Sequence, residues 1–202
     1  QVALAVNGIP ISGGVGLEFA DRTAVRSVLA WLRLATCDTL GPDDIREALR
    51  RPSRSFHPRI NDWVCEQRSI VDLHRLAGRL NTERDQERVT DFAADIQTLQ
   101  QMVKDQAPTS DLVLTLIDRI GLAGAVGTLD AHRRGMNRAA QGDDLTAIQH
   151  LAALHDDVAT FEPWLREHLA VRRQPGGVTL STVHRVKGQE WPHVVVHLAD
   201  AE

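Results

Sequence analysis

The chain has 202 residues, a formal net charge of −4, 43% hydrophobic residues and 25% charged residues. These values are typical of one or two globular domains, and they exclude an overall basic field, so any contact with DNA has to be local. Tyrosine is absent and aromatic residues make up only 4% of the chain, which argues against a base-stacking platform of many rings.

Membrane, disulfide and metal signals are missing from the sequence. No apolar run approaches the roughly 20 residues of a membrane span, so no membrane partner is expected. Cys37 and Cys65 form no CxxC pair, and we predict two buried free thiols in a reducing, cytoplasmic setting. His193 and His197 are too far apart along a predicted strand to share a zinc ion, so no metal site is predicted.

The first 38 residues carry the signals of a helix end, a short strand and a longer helix. Asn7-Gly8 is a typical C-terminal stop, so residues 1–8 are interpreted as the last turns of a helix. Residues 9–11 predict a short strand before the Gly13-Gly14 turn. Apolar residues three or four apart predict a helix over residues 19–34.

Helical patterns then continue from about residue 40 to residue 173. Prolines open two short helices in their first turns, and a Thr109-Ser110-Asp111 cap starts another that stops at Gly121. Residues 121–142 are rich in glycine and predict a mobile loop or broken helix; Pro163 is predicted in the first turn of the last helix. The predicted helices span residues 42–51, 58–64, 69–80, 83–104, 112–120, 145–157 and 161–171.

Two apolar stripes at helical spacing predict the core of this helical region. The first contains Ile70, Leu73, Leu76, Ala77 and Leu80. The second contains Val89, Phe92, Ala93, Ile96, Leu99 and Val103.

The most informative pattern lies near the end of the chain. Residues 178–183, bounded by Gly176-Gly177, predict a buried strand, and residues 194–196 predict a second one. Between them, residues 184–190 contain a histidine, an arginine, a lysine, a glycine and a glutamate. In an open α/β sheet, such a polar turn after a buried strand is where a ligand usually binds.

Six residues here fit the pattern T-x-H-x-x-K-G-x-E-[FW] and resemble motif V of superfamily 1 DNA helicases of the UvrD/PcrA/Rep type. They are Thr182, His184, Lys187, Gly188, Glu190 and Trp191. The resemblance implies that Thr182 and His184 contact the backbone of single-stranded DNA. It also implies that Lys187-Gly188 fix a turn facing the ATP cleft, and that Glu190 accepts from the ribose hydroxyls of the nucleotide. The alternative is an ordinary strand–turn–strand with a solvated basic turn.

Residues 8–34 resemble the motif IV region of the same family, through Gly-Ile-Pro-Ile-x-Gly-Gly and the helix that follows. The resemblance implies that Arg22 reaches the γ-phosphate of ATP and acts in catalysis. A guanidinium at a helix N-terminus is a good anion site; an exposed arginine without a ligand is the alternative. The family usually has a glutamate two residues later, where this chain has Ala24.

Residues 50–59 contain four arginines and no acidic residue. In the family, the equivalent turn usually contains Gly-Ile-Gly and touches duplex phosphates through backbone N–H groups. Ser55-Phe56-His57 replaces it here, and the loss of glycine is expected to remove positive-φ freedom. Arg54, Ser55 and Arg59 remain candidate DNA contacts, with a solvated basic loop as the alternative.

The resemblance implies a mostly α chain in which an all-α insertion interrupts a RecA-like α/β domain. Residues 1–38 would be the first part of domain 2A, residues 39–173 the helical 2B accessory subdomain, and residues 174–202 the return to 2A. We expect the two ends to share one sheet. The implied function is ATP-dependent unwinding of DNA, in the 3′-to-5′ direction, in repair or replication. The implied cofactors are ATP and Mg²⁺, and the implied partners are single-stranded DNA, duplex DNA and repair proteins.

The sequence has no G-x-x-x-x-G-K-[ST] phosphate loop. The chain is therefore expected to be an inactive piece of a larger enzyme, and Gln189 and Trp191 favour an actinobacterial UvrD-like one. Two alternatives stay open. One is a helical protein-interaction module with vestigial helicase ends, and the other is part of a helicase–nuclease of the RecB/AddA kind.

Overall fold

The computed structural model describes residues 1–13, 16–131, 140–170, 176–181 and 187–196. Most of the described residues are helical and few lie in strands, which confirms the mostly α class. A 3₁₀ turn spans Leu17–Phe19, and a π-helical turn spans Thr115–Arg119. The elements are α1 Val2–Val6, β1 Ile11–Gly13, α2 Thr23–Thr36, α3 Pro42–Arg50, α4 Pro58–Cys65, α5 Ile70–Ala77, α6 Glu83–Lys104, α7 Thr109–Leu114, α8 Leu122–Ala131, α9 Ala140–Ala152, α10 Val158–Leu169 and β2 Val178–Thr179.

Local capping residues fix where several of these helices begin. Prolines occupy the first turns of α3 and α4, where the missing N–H costs nothing. The side chains of Ser69 and Thr82 accept from the backbone N–H groups of Asp72 and Asp85, each at 3.2 Å. These bonds satisfy donors that a helix start otherwise leaves open, so α5 and α6 begin at the predicted places.

Helix α2 is the centre of the packing, since it contacts α3, α6, α9 and α10. Its Trp31 is fully buried and meets the ring of Phe92 on α6 edge-on, with centroids 5.5 Å apart. The Trp31 indole N–H donates to the Arg51 carbonyl at 2.9 Å, so its one polar atom is satisfied. Burying a ring of this size contributes roughly 2–3 kcal/mol.

Both predicted apolar stripes lie in this core, apart from a few half-buried members. One hydrophobic cluster runs from Val2 to Leu169 and crosses the predicted boundary between residues 38 and 39. The division of the chain into domains at that boundary stays a prediction.

The two ends of the chain meet in one parallel strand pair. Ile11 of β1 is in register with Val178 of β2, and the Val178 N–H donates to the Pro10 carbonyl at 2.8 Å. Gly177 makes this approach possible, because a Cβ there would lie 2.7 Å from the backbone of Pro10. The predicted pairing of the ends is therefore confirmed for these two strands. The first strand covers residues 11–13 and not 9–11.

The prediction of two buried strands near the end of the chain is wrong for the residues described there. Val178 and Leu180 are each 42% exposed, and residues 194–196 form no strand, with Val195 94% exposed. A β-branched run is buried only when a neighbouring strand and a covering layer are present. Within the described ranges, the sheet contains only β1 and β2.

The glycine-rich stretch is more helical than predicted. Leu122 and Val126 of α8 are buried on one side of the helix, and α8 packs against α9. This burial outweighs the low helix propensity of Gly124 and Gly127. Residues from Ala140 onward are already helical, in α9, and residues 132–139 lie outside the described ranges.

The last helix begins earlier than predicted. Asp157 caps α10, with its Oδ1 accepting from the Ala159 N–H at 2.9 Å. Because the helix starts at Val158, Pro163 lies beyond the first turn.

Both cysteines are free, but only Cys65 is buried. Cys37 is exposed because it follows the last residue of α2, so its predicted burial was wrong. In the part of the chain that is described, no group of three or more His, Cys, Asp or Glu residues is placed to hold a metal ion.

No single helix in the described ranges is long and apolar enough to span a membrane. One pair, Thr109–Arg119 with Leu122–Ala131, reaches the required length and composition only when taken together, and it is bent by 60°.

Candidate functional site

Arg22 lies at the predicted position, immediately before the first residue of α2. Its side chain is 42% exposed, and its Nη1 donates to Asp144 Oδ1 at 2.7 Å. Its guanidinium carbon lies over the ring of Phe19, 5.5 Å from the centroid. The guanidinium is thus held by a carboxylate and by an aromatic face, while part of it remains open to solvent.

A residue of α9 also accepts a hydrogen bond from the backbone N–H of Ala24, next to Arg22. The Ala24 N–H, in the first turn of α2, donates to Gln141 Oε1 at 3.2 Å. The carboxylate that motif IV would carry at position 24 is absent from α2. Asp144 and Gln141 place two other acceptors at the same helix start, and both are buried.

A third buried polar residue holds the first turn of α9 in place. The carboxylate of Asp130, on α8, accepts from the backbone N–H groups of Gln141 at 3.2 Å and Gly142 at 3.0 Å. A carboxylate at a helix N-terminus is favourable because the helix dipole is positive there. A continuous set of polar contacts therefore joins α8, α9 and the start of α2.

Arg54 differs from the other candidate DNA residues, because its charge is already paired. Its Nη2 forms an ion pair with Asp95 of α6, its guanidinium carbon lies 5.8 Å from the Phe92 ring centroid, and its side chain is only 14% exposed. Desolvated pairs of this kind are expensive to break. The DNA contact of Arg54 stays a prediction that this geometry does not favour.

Ser55 adopts the left-handed backbone conformation that we expected to be lost with the family's glycines. Its φ is +52°, an uncommon value for a residue with a side chain. Arg88 on α6 donates to the Ser55 carbonyl at 2.9 Å. This hydrogen bond attaches the loop between α3 and α4 to α6. The turn thus has a positive φ at this position although the residue is serine.

Arg59 and Ser55 are both exposed, so they remain available to a ligand. The Arg59 guanidinium carbon lies 5.7 Å from the ring centroid of Trp63, which is 39% exposed. At the start of α4, His57 Nδ1 accepts from the Arg59 N–H at 3.3 Å.

The described part of the motif V turn is exposed throughout, from Lys187 to Trp191. Gly188 has a φ of +83°, a conformation that favours glycine. Among the described contacts, none joins Lys187 or Glu190 to Arg22. Thr182 and His184 lie outside the described residues.

A cavity of about 520 Å³ lies at the other end of α2, lined mainly by Leu32, Val158 and Phe161. Arg33, also in its lining, donates to Asp44 at 2.8 Å and to Glu162 at 2.6 Å. Burial alone would lower the pKa of Arg33, but the hydrogen bonds to the two carboxylates outweigh it, so the pKa is raised. Eleven residues of helix separate Arg33 from Arg22, roughly 16 Å, so this cavity is not part of the Arg22 site.

The sequence interpretation missed Gln141 and Asp144. Together with Leu145 and Ile148, they follow the spacing of one helix face, and all four are buried. That spacing was the available signal, but the glycine-rich composition led us to interpret residues 121–142 as a loop or broken helix.

No protein-family model and no curated protein matches the sequence. A functional proposal therefore depends on the motifs and on the geometry described above.

Proposed function

We propose that the chain is part of an ATP-dependent DNA helicase of superfamily 1. Residues 1–38 and 174–202 would belong to one RecA-like motor domain, and residues 39–173 would form its inserted accessory subdomain. The observation that supports the proposal most is the parallel pairing of β1 with β2, which brings Ile11 into register with Val178 from the far end of the chain.

The carboxyl ends of parallel strands lie at the same edge of a sheet. The chain leaves β1 toward Arg22 and leaves β2 toward the turn that contains Lys187 and Glu190. In open α/β sheets, ligands bind beyond the carboxyl ends of the strands. The pairing is therefore the arrangement that a shared nucleotide site at this edge requires.

The residues present fit one side of an ATP site. Arg22 offers a half-exposed guanidinium to a phosphate, and Glu190 is an exposed carboxylate that suits ribose hydroxyls. ATP with Mg²⁺ supplies the phosphoryl group whose transfer drives such enzymes. The phosphate loop would come from another motor domain, because this sequence contains none.

DNA would contact two parts of the chain. Ser55 lies on the exposed loop between α3 and α4, and Arg59 lies exposed in the first turn of α4, so backbone groups and a guanidinium are available to duplex phosphates. Thr182 and His184 would contact the single strand, as the resemblance to motif V implies. The enzyme would act in the cytoplasm.

The test is DNA-stimulated ATP hydrolysis by the complete polypeptide that contains this chain. Arg22→Ala should lower kcat by about a thousandfold, the lower end of the usual effect of a catalytic arginine. Glu190→Ala should weaken the DNA-stimulated rate, mainly through KM for ATP. Arg46→Ala is the matched control, because Arg46 forms an exposed pair with Asp43 on α3. Unchanged kinetics for both Arg22→Ala and Glu190→Ala would contradict the proposal.

A second candidate is a helical protein-interaction module whose helicase-like ends are vestigial. The internal pairing of Arg54 with Asp95 favours it, since that arginine is not free for DNA. Arg59→Ala separates the two functions: a helicase accessory subdomain should lose duplex affinity and about one unit of salt dependence. An interaction module should show no change. A nuclease domain elsewhere in the polypeptide would instead indicate the RecB/AddA kind.

A further inference from the structure

Three arginines surround the side chain of Glu47, a buried residue of α3. Arg51 Nη1 donates to Glu47 Oε1 at 2.5 Å, and the Ser27 hydroxyl of α2 donates to the same oxygen at 3.0 Å. On the other oxygen, Oε2, Arg26 Nε lies at 3.2 Å and Arg50 Nη1 at 3.8 Å. One carboxylate is therefore shared by three cationic side chains.

The charges of this arginine cluster, which consists of Arg26, Arg50 and Arg51 around Glu47, do not balance. Among the described ion pairs, each of the three arginines has Glu47 as its carboxylate partner and no other. Arginine is always protonated in a protein, so the cluster carries an excess of two positive charges. Arg75 on α5, by comparison, has a carboxylate of its own at 2.8 Å.

Two of the guanidiniums are open to solvent and close to each other. The side chain of Arg26 is 45% exposed and that of Arg50 is 60% exposed. Because their nitrogens lie 3.2 and 3.8 Å from the same oxygen, these nitrogens are at most about 7 Å apart. An oxyanion accepts N–H donors at about 2.8 Å from each of its oxygens, so one phosphate can reach both side chains.

The donors needed for such a contact are available. At 3.8 Å, Arg50 is too far from Glu47 for a hydrogen bond, and within the described ranges its guanidinium donates to no other group. Arg26 approaches the carboxylate through Nε, which leaves its two Nη groups for a ligand. The two arginines belong to α2 and α3, which pack together, so the packing of these helices holds the pair in place.

We propose that Arg26 and Arg50 form a binding site for a phosphate monoester. A monoester carries close to two negative charges at neutral pH, which matches the excess charge of the arginine cluster. A phosphodiester carries one negative charge and would leave half of that excess. The inference goes beyond the proposed function, because it requires no role for Arg22 and none for the residues of motif V.

A bound dianion should also stabilise the fold. Guanidiniums that lie close together repel each other when they are partly removed from water, and Glu47 offsets only one of the three charges. Arg50→Gln should therefore leave the free energy of unfolding unchanged in the absence of ligand. If the cluster served only to attach α3 to α2, the loss of Arg50 would lower it.

The experiment compares two ligands of similar shape, phenyl phosphate and phenyl sulfate, with the 202-residue chain at pH 7.5 and low salt. Their Kd values are taken from NMR shifts of the Nε–Hε groups of Arg26 and Arg50. Phenyl sulfate has one negative charge fewer, so it should bind about tenfold more weakly. At pH 5 the monoester has gained a proton, because its second pKa is about 6, and the two ligands should then bind equally.

Substitutions assign the binding to the two side chains. Arg26→Gln and Arg50→Gln should each weaken phenyl phosphate binding about tenfold, the usual effect of losing a hydrogen bond to a charged group. Arg26→Lys keeps the charge but loses the planar fork, so its effect should be smaller, about threefold. Arg75→Gln is the matched control, since Arg75 is 59% exposed and pairs one to one with Asp72; its Kd should not change.

Four results would overturn the inference. They are equal binding of the two ligands at pH 7.5, an unchanged Kd in both Arg26→Gln and Arg50→Gln, a Kd of the unmodified chain weaker than about 10 mM, and a loss of stability in Arg50→Gln without ligand. The proposed function would survive each of them.

A duplex oligonucleotide without terminal phosphates separates this site from a DNA surface, because it contains only diesters. It should not displace phenyl phosphate from Arg26 and Arg50. Displacement would assign the arginine cluster to DNA, so the inference would fail while the proposed function gained support.

Discussion

Arginines of equal charge have unequal environments in this chain. Arg54 is 14% exposed between Asp95 and the ring of Phe92, so it contributes to stability. Arg59, only five residues later, is exposed on the face of Trp63 and is available to a ligand. The difference comes from α6, which supplies the carboxylate and the ring to one arginine and neither of them to the other.

Ser55 shows that a residue with a side chain can adopt a backbone conformation that favours glycine. A serine in the left-handed region costs on the order of 1 kcal/mol relative to glycine. The contact of Arg88 with the Ser55 carbonyl, at 2.9 Å, offsets part of that cost.

At the residue scale, the cap that Asp157 forms at the start of α10 leads to a prediction. Its side chain accepts from the Thr160 hydroxyl and from the Ala159 N–H, and these hydrogen bonds lower its pKa from the ordinary value of 3.8. Because the folded pKa lies below the unfolded one, the contribution to stability is complete above about pH 3.8 and is lost as pH falls through the folded pKa.

Asp157→Ala should therefore lower the free energy of unfolding by about 1 kcal/mol at pH 7, and by less at pH 3. Urea unfolding at both pH values measures the difference. Asp156→Ala is the control, since Asp156 contributes its backbone carbonyl, and not its carboxylate, to Thr109. A difference that stays constant between the two pH values would contradict the role of the cap.

At the element scale, the starts of four helices were predictable because their causes are local. Proline in the first turn, or a serine or threonine cap, lies within four residues of the helix that it starts, so α3, α4, α5 and α6 follow from the sequence. Burial of the strands near the end of the chain was not predictable, because it depends on which segments cover them.

Contacts between residues far apart in the sequence could also not be predicted. Arg22 could be placed at a helix start from motif and periodicity, but its partner Asp144 follows 122 residues later. The two ends of the chain were expected to share one sheet, but that expectation gave no register.

At the element scale, the close approach of Gly177 to the Pro10 backbone leads to a prediction. Gly177→Ala would bring a Cβ to 2.7 Å from the Pro10 backbone, so β1 and β2 should separate. The measurement is hydrogen exchange of the Val178 amide, which donates to the Pro10 carbonyl and should lose its protection. Overpacking of this kind typically costs about 2 kcal/mol.

The control for this change is Gly124→Ala, because a Cβ at Gly124 on α8 meets nothing within 4 Å. It should leave the Val178 amide protected and stabilise α8 by up to about 1 kcal/mol. Persistent protection in Gly177→Ala would mean that the strand pair does not depend on the close approach of the two backbones.

At the scale of the whole molecule, α2 connects the parts that the proposal assigns to ATP and to DNA. Its first turn contacts α9, and the helix also packs on α3 and α6. Ser55 follows α3 and its carbonyl accepts from Arg88 of α6, while Arg59 lies in the first turn of α4. In the proposed helicase, a change at the nucleotide end would reach Ser55 and Arg59 through these packed helices.

The central claim is that the two ends of the chain form one side of a single nucleotide site. Hydrogen exchange of the complete polypeptide during titration with a non-hydrolysable ATP analogue tests it most directly. If the two ends form this site, exchange should slow in residues 17–25 and in residues 187–191, with the same midpoint for both segments. A response in only one segment, or two different midpoints, would contradict it.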